Sequence, residues 1–109
     1  MKVIASNTMT SVPASKPGVQ ERILLHLRDY VDHADKVEVP FALSQMGIAN
    51  AVSIARSNVP RAISGLRDQG YLIERQAHVT GVSRKRKAYF LTEDGAKLAD
   101  DIWSKVGMQ

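Results

Sequence analysis

No cysteine occurs anywhere in the 109-residue chain. That excludes disulfides, thiolate metal sites and cysteine nucleophiles together. His26, His33 and His78 are scattered, without the local spacing of a metal site. The carboxylates are scattered over expected helix surfaces, and neither a Ser/His/Asp arrangement nor a phosphate-cradling glycine loop emerges. An enzyme is therefore not expected, and no cofactor or metal is called for. No apolar run approaches the roughly 20 residues that span a bilayer. The opening stretch "MKVIASNTMTSVPASKPG" has no continuous hydrophobic core, so it does not read as a secretion signal. A cytoplasmic protein with no membrane association is the expectation.

What is present is an apolar fraction of 44%, enough for one domain with a modest core, and an uneven charge. The net charge of +4 is zero over residues 1–50, +6 over 51–92 and −2 over 93–109. The middle stretch holds Arg56, Arg61, Arg67, Arg75, Arg84, Lys85, Arg86 and Lys87 against Asp68 and Glu74 alone. Such concentration favours a polyanionic partner such as nucleic acid. A solvated face is the plainer reading of the same charge.

Residues 1–18 are rich in Ser, Thr, Pro, Ala and Gly without periodicity and are expected to form a flexible tail. Residues 19–109 are expected to form the domain. Ile23, Leu24, Leu27 and Val31 repeat at helical spacing, which predicts an amphipathic helix over roughly 19–32. Val37 and Val39 alternate with charged residues before Pro40 and predict one short extended segment. Ser44 caps a short helix over about 44–52, with Ile48, Ala49 and Val52 inward. Val59, Ala62, Ile63 and Leu66 repeat the stripe in the next helix, about 56–69, with Pro60 in its first turn and Gly70 as its left-handed stop. Two strand-like stretches, 71–79 and 84–91, form a hairpin around Gly81. Thr92 then caps a final helix whose stripe is Ala99, Ile102, Trp103 and Val106.

The stretch "QMGIANAVSIARSNVPRAISGLRDQGYLIER" and, further on, "RKRKAYFLTEDG" carry a resemblance. In order and spacing they resemble the helix-turn-helix, wing strand and following helix of MarR-like winged-helix regulators, over about residues 20–106. The resemblance implies an α+β, mainly helical fold: a three-helix core, a β-hairpin wing and a C-terminal helix. It further implies sequence-specific binding of double-stranded DNA, with the second helix of the motif in the major groove and the wing on the flanking backbone or minor groove. The sequence departs from the family pattern at Ser53, where glycine is usual, and at Ala55, where Ser or Thr usually caps the recognition helix. Ser57 is then an alternative cap.

The residues support that reading on physical grounds. With the apolar stripe inward, Ser57, Arg61, Ser64 and Asp68 lie on the outer face, with Asn58 and Gly65 beside them. Short polar residues and one long cation suit base edges and phosphates. A protein interface would instead want aromatic or aliphatic anchors. Asp68 would repel phosphate and is expected beyond the contact zone. Arg56 suits either a phosphate contact or the start of the helix. In the hairpin, Arg84 and Arg86 share one face with Ala88 and Phe90, and Lys85 and Lys87 share the other with Tyr89 and Leu91. Neither face is purely polar, so the cationic end must lie beyond the packed part, as in a wing. The plainer reading is a charge run that discourages edge pairing. Arg75 and His78 are weaker candidates on the opposing strand.

The expected DNA-binding residues are thus Arg56, Ser57, Asn58, Arg61, Ser64, Arg84, Lys85, Arg86 and Lys87. A homodimer is the expected form on a two-fold site, with Trp103 in the C-terminal helix as a candidate anchor; plain core packing of Trp103 is the alternative. The competing function is a winged-helix protein–protein module of a larger signalling assembly.

Overall fold

The computed structural model describes residues 18–107. All of the expected tail except Gly18 lies outside the described residues. The elements in chain order are α1 (Val19–Arg28), β1 (Glu38–Val39), α2 (Gln45–Val52), α3 (Val59–Asp68), β2 (Leu72–Val79), β3 (Lys85–Leu91) and α4 (Glu93–Gly107), with single 3-10 turns at Val31–His33, Phe41–Leu43 and Arg56–Asn58. This is the α+β winged-helix arrangement read from the sequence. The three strands form one sheet in the order β1-β2-β3. β2 and β3 pair antiparallel from Leu72↔Leu91 to His78↔Lys85, while β1 runs parallel to the far end of β2 through Glu38↔His78 and Val39↔Val79.

Helix α1 is shorter than its periodicity suggests. It ends at Arg28, a 3-10 turn replaces the predicted last turn, and Val31 is exposed. Beyond Arg28 the backbone donors turn back three residues instead of four, Tyr30 N–H to the Leu27 carbonyl at 2.9 Å and His33 N–H to the Tyr30 carbonyl at 3.0 Å, the tighter winding of a 3-10 turn. In the loop after that turn the Arg75 guanidinium donates to the carbonyls of Ala34 at 2.7 Å and Lys36 at 2.9 Å and lies 4.6 Å over the Phe90 ring. Arg75 is therefore a brace between this loop and the sheet, and its weak candidacy as a wing contact is withdrawn.

Local chemistry sets the other boundaries. The Ser44 hydroxyl accepts from the Gly47 N–H at 3.1 Å and caps α2. Thr92 does the same for α4, accepting from Gly95 N–H at 3.0 Å while its own hydroxyl donates to the Gly70 carbonyl at 2.6 Å. Glu93 and Asp94 occupy the first turn of α4, where the positive end of the helix dipole favours them. Ser53, in the position where the family pattern has glycine, adopts the left-handed conformation itself, at φ 58° and ψ 49°. That costs a non-glycine residue on the order of 1 kcal/mol or more, and Arg22 helps hold the corner by donating to the Val52 carbonyl at 2.8 Å.

The core gathers Ile23, Leu24 and Leu27 of α1, Ile48 and Val52 of α2, Val59, Ile63 and Leu66 of α3, and Tyr89 and Phe90 of β3. Every one of these is at most 4% exposed, so the helical stripes read from the sequence are packing positions and carry no ligand role. In α4 the stripe divides. Ala99 and Ile102 are buried, whereas Trp103 is 50% exposed and Val106 is exposed beside it.

Candidate nucleic-acid interface

Two elements present the site. The first is α3 with the turn that leads into it. Its stripe of Val59, Ala62, Ile63 and Leu66 is buried against the core, which turns Arg61 and Ser64 to solvent. The predicted helix over 56–69 divides in two, a 3-10 turn at Arg56–Asn58 and the α-helix Val59–Asp68. No side chain caps the start. The Asn58 N–H donates to the Ala55 carbonyl at 2.9 Å, and the tighter turn itself satisfies the first donors. The Ser57 hydroxyl is therefore not consumed as a cap. Arg56, Ser57, Asn58, Arg61 and Ser64 are all exposed.

Gly65 stands differently from its sequence reading. It is half-buried and faces α1, where an added Cβ would meet Gln20 Nε2 at 2.5 Å. It does not lie beside the outer face. Asp68 is exposed at the last turn of α3.

The second element is the hairpin. Burial along β3 switches abruptly, with Lys85, Arg86 and Lys87 exposed and Ala88, Tyr89, Phe90 and Leu91 buried. The consecutive cations thus project beyond the packed base, as the two-faced pattern requires. Arg84 is exposed in the loop just before β3. The base of the hairpin is fixed from both sides. Gln45 Nε2 of α2 donates to the Tyr89 hydroxyl at 3.1 Å. Arg67 of α3 and Lys87 of β3 both reach the Glu74 carboxylate, at 3.0 and 3.8 Å. Burial pushes the Tyr89 phenol above its ordinary range, with the Glu74 charge acting in the same direction and the Gln45 hydrogen bond opposing. Tyr89 stays a neutral phenol wherever the protein is folded near neutral pH.

The two elements meet around one cleft of about 580 Å³, lined by Arg56 from the approach to α3, by Lys85, Arg86, Lys87 and Gln76 of the hairpin, and by Gln45 and Met46 at the start of α2. Among the described residues, Arg56, Arg61, Arg84, Lys85 and Arg86 have no ion-pair partner. A concave surface edged by uncompensated cations focuses positive potential and attracts a polyanion. Arg61, Ser57, Asn58, Ser64 and Arg84 are exposed but do not line the cleft. The sequence did not single out Gln76, Gln45 or Met46 as neighbours of the cations, because only the fold brings α2 to the hairpin. His78 is exposed opposite Lys85 on the same strand pair.

Among the described residues, no group of three His, Asp or Glu side chains is placed to hold a metal ion. No helix there is long and apolar enough to cross a membrane.

No family model and no curated protein matches the chain. Solved structures do. MepR of Staphylococcus aureus in complex with DNA matches with a TM-score of 0.63 at 20% identity, over 84% of this chain and 65% of that one. The zinc-responsive MarR family member ZitR of Lactococcus lactis matches with a TM-score of 0.63 at 21% identity, over 89% and 58%. A point mutant of ZitR gives 0.65 at 19% identity, over 92% and 59%. The chain spans about three fifths of the length of these structures. Its fold is the winged helix of MarR-family transcription regulators.

Proposed function

We propose that the protein is a transcriptional regulator that binds double-stranded DNA, with the outer face of α3 in the major groove and the hairpin as a wing on the flanking backbone or minor groove. The observation that carries this reading is the convergence of Arg56 with Lys85, Arg86 and Lys87 on one cleft. The wing cations supply sequence-independent affinity through phosphates. Arg61, with Ser57, Asn58 and Ser64 around it, supplies sequence preference. Arg84 extends the phosphate track at the tip of the hairpin. A MarR-type neighbour solved with DNA is consistent with this use of the fold.

The exposed side of α3 also weighs against a protein–protein module. Pro60, Arg61, Ser64, Arg67 and Asp68 stand there, and no aromatic or aliphatic anchor joins them. A second copy of the chain is part of the proposal, because one recognition helix reads only a half-site. The surface assigned to it is the α4 face carrying Trp103 and Val106. Trp103 is too exposed to be core, and Arg28 of α1 lies 5.3 Å over its ring while pairing with Asp100 at 2.7 Å. That arrangement presents a rigid, half-open aromatic of the kind that anchors interfaces.

Arg61→Ala tests the base-reading role. Binding measured across a panel of single-base operator variants should lose discrimination at one base pair, by about 1–3 kcal/mol, while affinity for random duplex changes far less. Equal loss on operator and random duplex removes Arg61 from base reading and leaves it a phosphate contact.

A further inference from the structure

We infer that Glu74 is an internal stand-in for a DNA phosphate: it occupies Lys87 in the free protein, yields it to the backbone on binding, and so holds down affinity for DNA of arbitrary sequence. The inference rests on the DNA-binding reading above. Glu74 and Asp68 are the two acids among residues 51–92, and they are placed very differently. Asp68 sits exposed at the end of α3 without an ion pair. Glu74 lies opposite Tyr89 in the β2–β3 ladder. Strand alternation puts it on one face with Gln76 and His78, and Lys85 and Lys87 share that face across the ladder. Gln76, Lys85 and Lys87 line the cleft. Glu74 does not itself line the cleft, but it stands on the same face of the hairpin, 3.8 Å from Lys87, which does.

Its two partners are held unequally. Arg67 Nη1 donates to Oε1 at 3.0 Å, a hydrogen-bonded pair that ties Glu74 to the last turn of α3. Lys87 Nζ stands 3.8 Å from Oε2 and is 56% exposed, against 27% for Glu74. A long, solvated pair of that kind contributes little, so exchanging the carboxylate for a phosphate oxygen costs little. After the exchange Glu74 still has Arg67, and no charge is left without a partner. Arg67 is the anchor and Lys87 the exchangeable ligand. Binding then neutralises one phosphate fewer in net terms than the wing's cation count implies, which shifts discrimination toward the bases read by α3.

The experiment is a double-mutant cycle in the full chain, with titrations of a random duplex at several salt concentrations. Glu74→Gln keeps the acceptor for Arg67 and removes the charge. It should tighten binding about fivefold near physiological salt and steepen the salt slope by about 0.9, the effect of one additional net phosphate contact. In a Lys87→Ala background the same substitution should leave the slope unchanged and give most of the gain away. Asp68→Asn serves as the control for an unpaired acid, with an effect that is the same in both backgrounds. An equal gain from Glu74→Gln with and without Lys87 reduces Glu74 to general repulsion and overturns the inference, as does weaker binding by Glu74→Gln, which would make Glu74 a support for the wing. Absence of duplex binding by the wild-type chain contradicts the DNA-binding reading itself, a result distinct from either.

Discussion

Alanine at Lys85, Arg86 and Lys87 together is expected to lower affinity for every duplex, operator or random, by roughly thirtyfold near physiological salt. It should flatten the salt slope by about 1.8, the figure for two net phosphate contacts on double-stranded DNA, since Glu74 already offsets the contact of Lys87. The three side chains lie beyond the packed base of the hairpin, so their removal takes away no core contact. Lys87 alone has an ion pair to lose, and that one is long. The melting temperature should accordingly stay within a few degrees of wild type. Fluorescence-anisotropy titrations at three or more salt concentrations check both quantities. An unchanged slope with reduced affinity would mean that the variant had disturbed something other than the phosphate track.

Gly47→Ala should be strongly destabilising for a single added methyl. Gly47 is in the first turn of α2, and a Cβ there would collide with the carbonyl oxygen of Phe41, with Ala42 Cα at 2.7 Å and Phe41 carbonyl carbon at 2.8 Å. These are backbone atoms of the 3-10 turn that packs against the helix, so nothing can swing aside. The Ser44 hydroxyl also accepts from this residue's N–H, and a displaced backbone loses that cap as well. Overpacking together with cap loss comes to about 3 kcal/mol or more, a fall in melting temperature of about 12 °C or more for a domain of this size. Gly65→Ala is the matched control. There the nearest atom is the amide end of the flexible Gln20 side chain, which can rotate away, and the helix gains about 1 kcal/mol from losing a glycine. Thermal melts of the two variants should move in opposite directions, or Gly65→Ala should not move at all.

Those two glycines also mark the reach of sequence reading. Local signals are self-contained and were legible. The stripe Val59, Ala62, Ile63 and Leu66 needs only its own spacing to define a buried face, and Ser44 and Thr92 cap helices using donors three residues away. The cation run in β3 was legible for the same reason, since its two-faced pattern excludes a packed position for Lys85 and Lys87. What depended on distant partners was not. Nothing in the spacing singles out Gly47, whose need to be glycine comes from the Phe41–Leu43 turn folded against it. Arg75 counts as one more cation until its guanidinium is found among the carbonyls of Ala34 and Lys36. The end of α1 at Arg28 comes with the change to three-residue backbone bonds after Leu27, which the apolar spacing does not announce. Glu74 stood with Asp68 as one of two acids in a basic stretch, and only strand pairing and the approach of α3 placed it between Arg67 and Lys87.

Ser57 shows the converse case. The lack of Ser or Thr at position 55 left two uses open for its hydroxyl, capping or contact. The 3-10 turn at Arg56–Asn58 resolves the helix start through backbone bonds, which leaves the hydroxyl exposed on the approach to α3.

Amide chemical-shift mapping during titration with a short duplex tests most directly whether α3 and the wing engage one DNA molecule from the same side. Perturbations should appear together, at the same protein-to-DNA ratio, over residues 56–64 and 84–87, with the cleft-lining Gln76 following them. Shifts confined to the α4 surface around Trp103, or to the hairpin with residues 56–64 silent, would contradict the account.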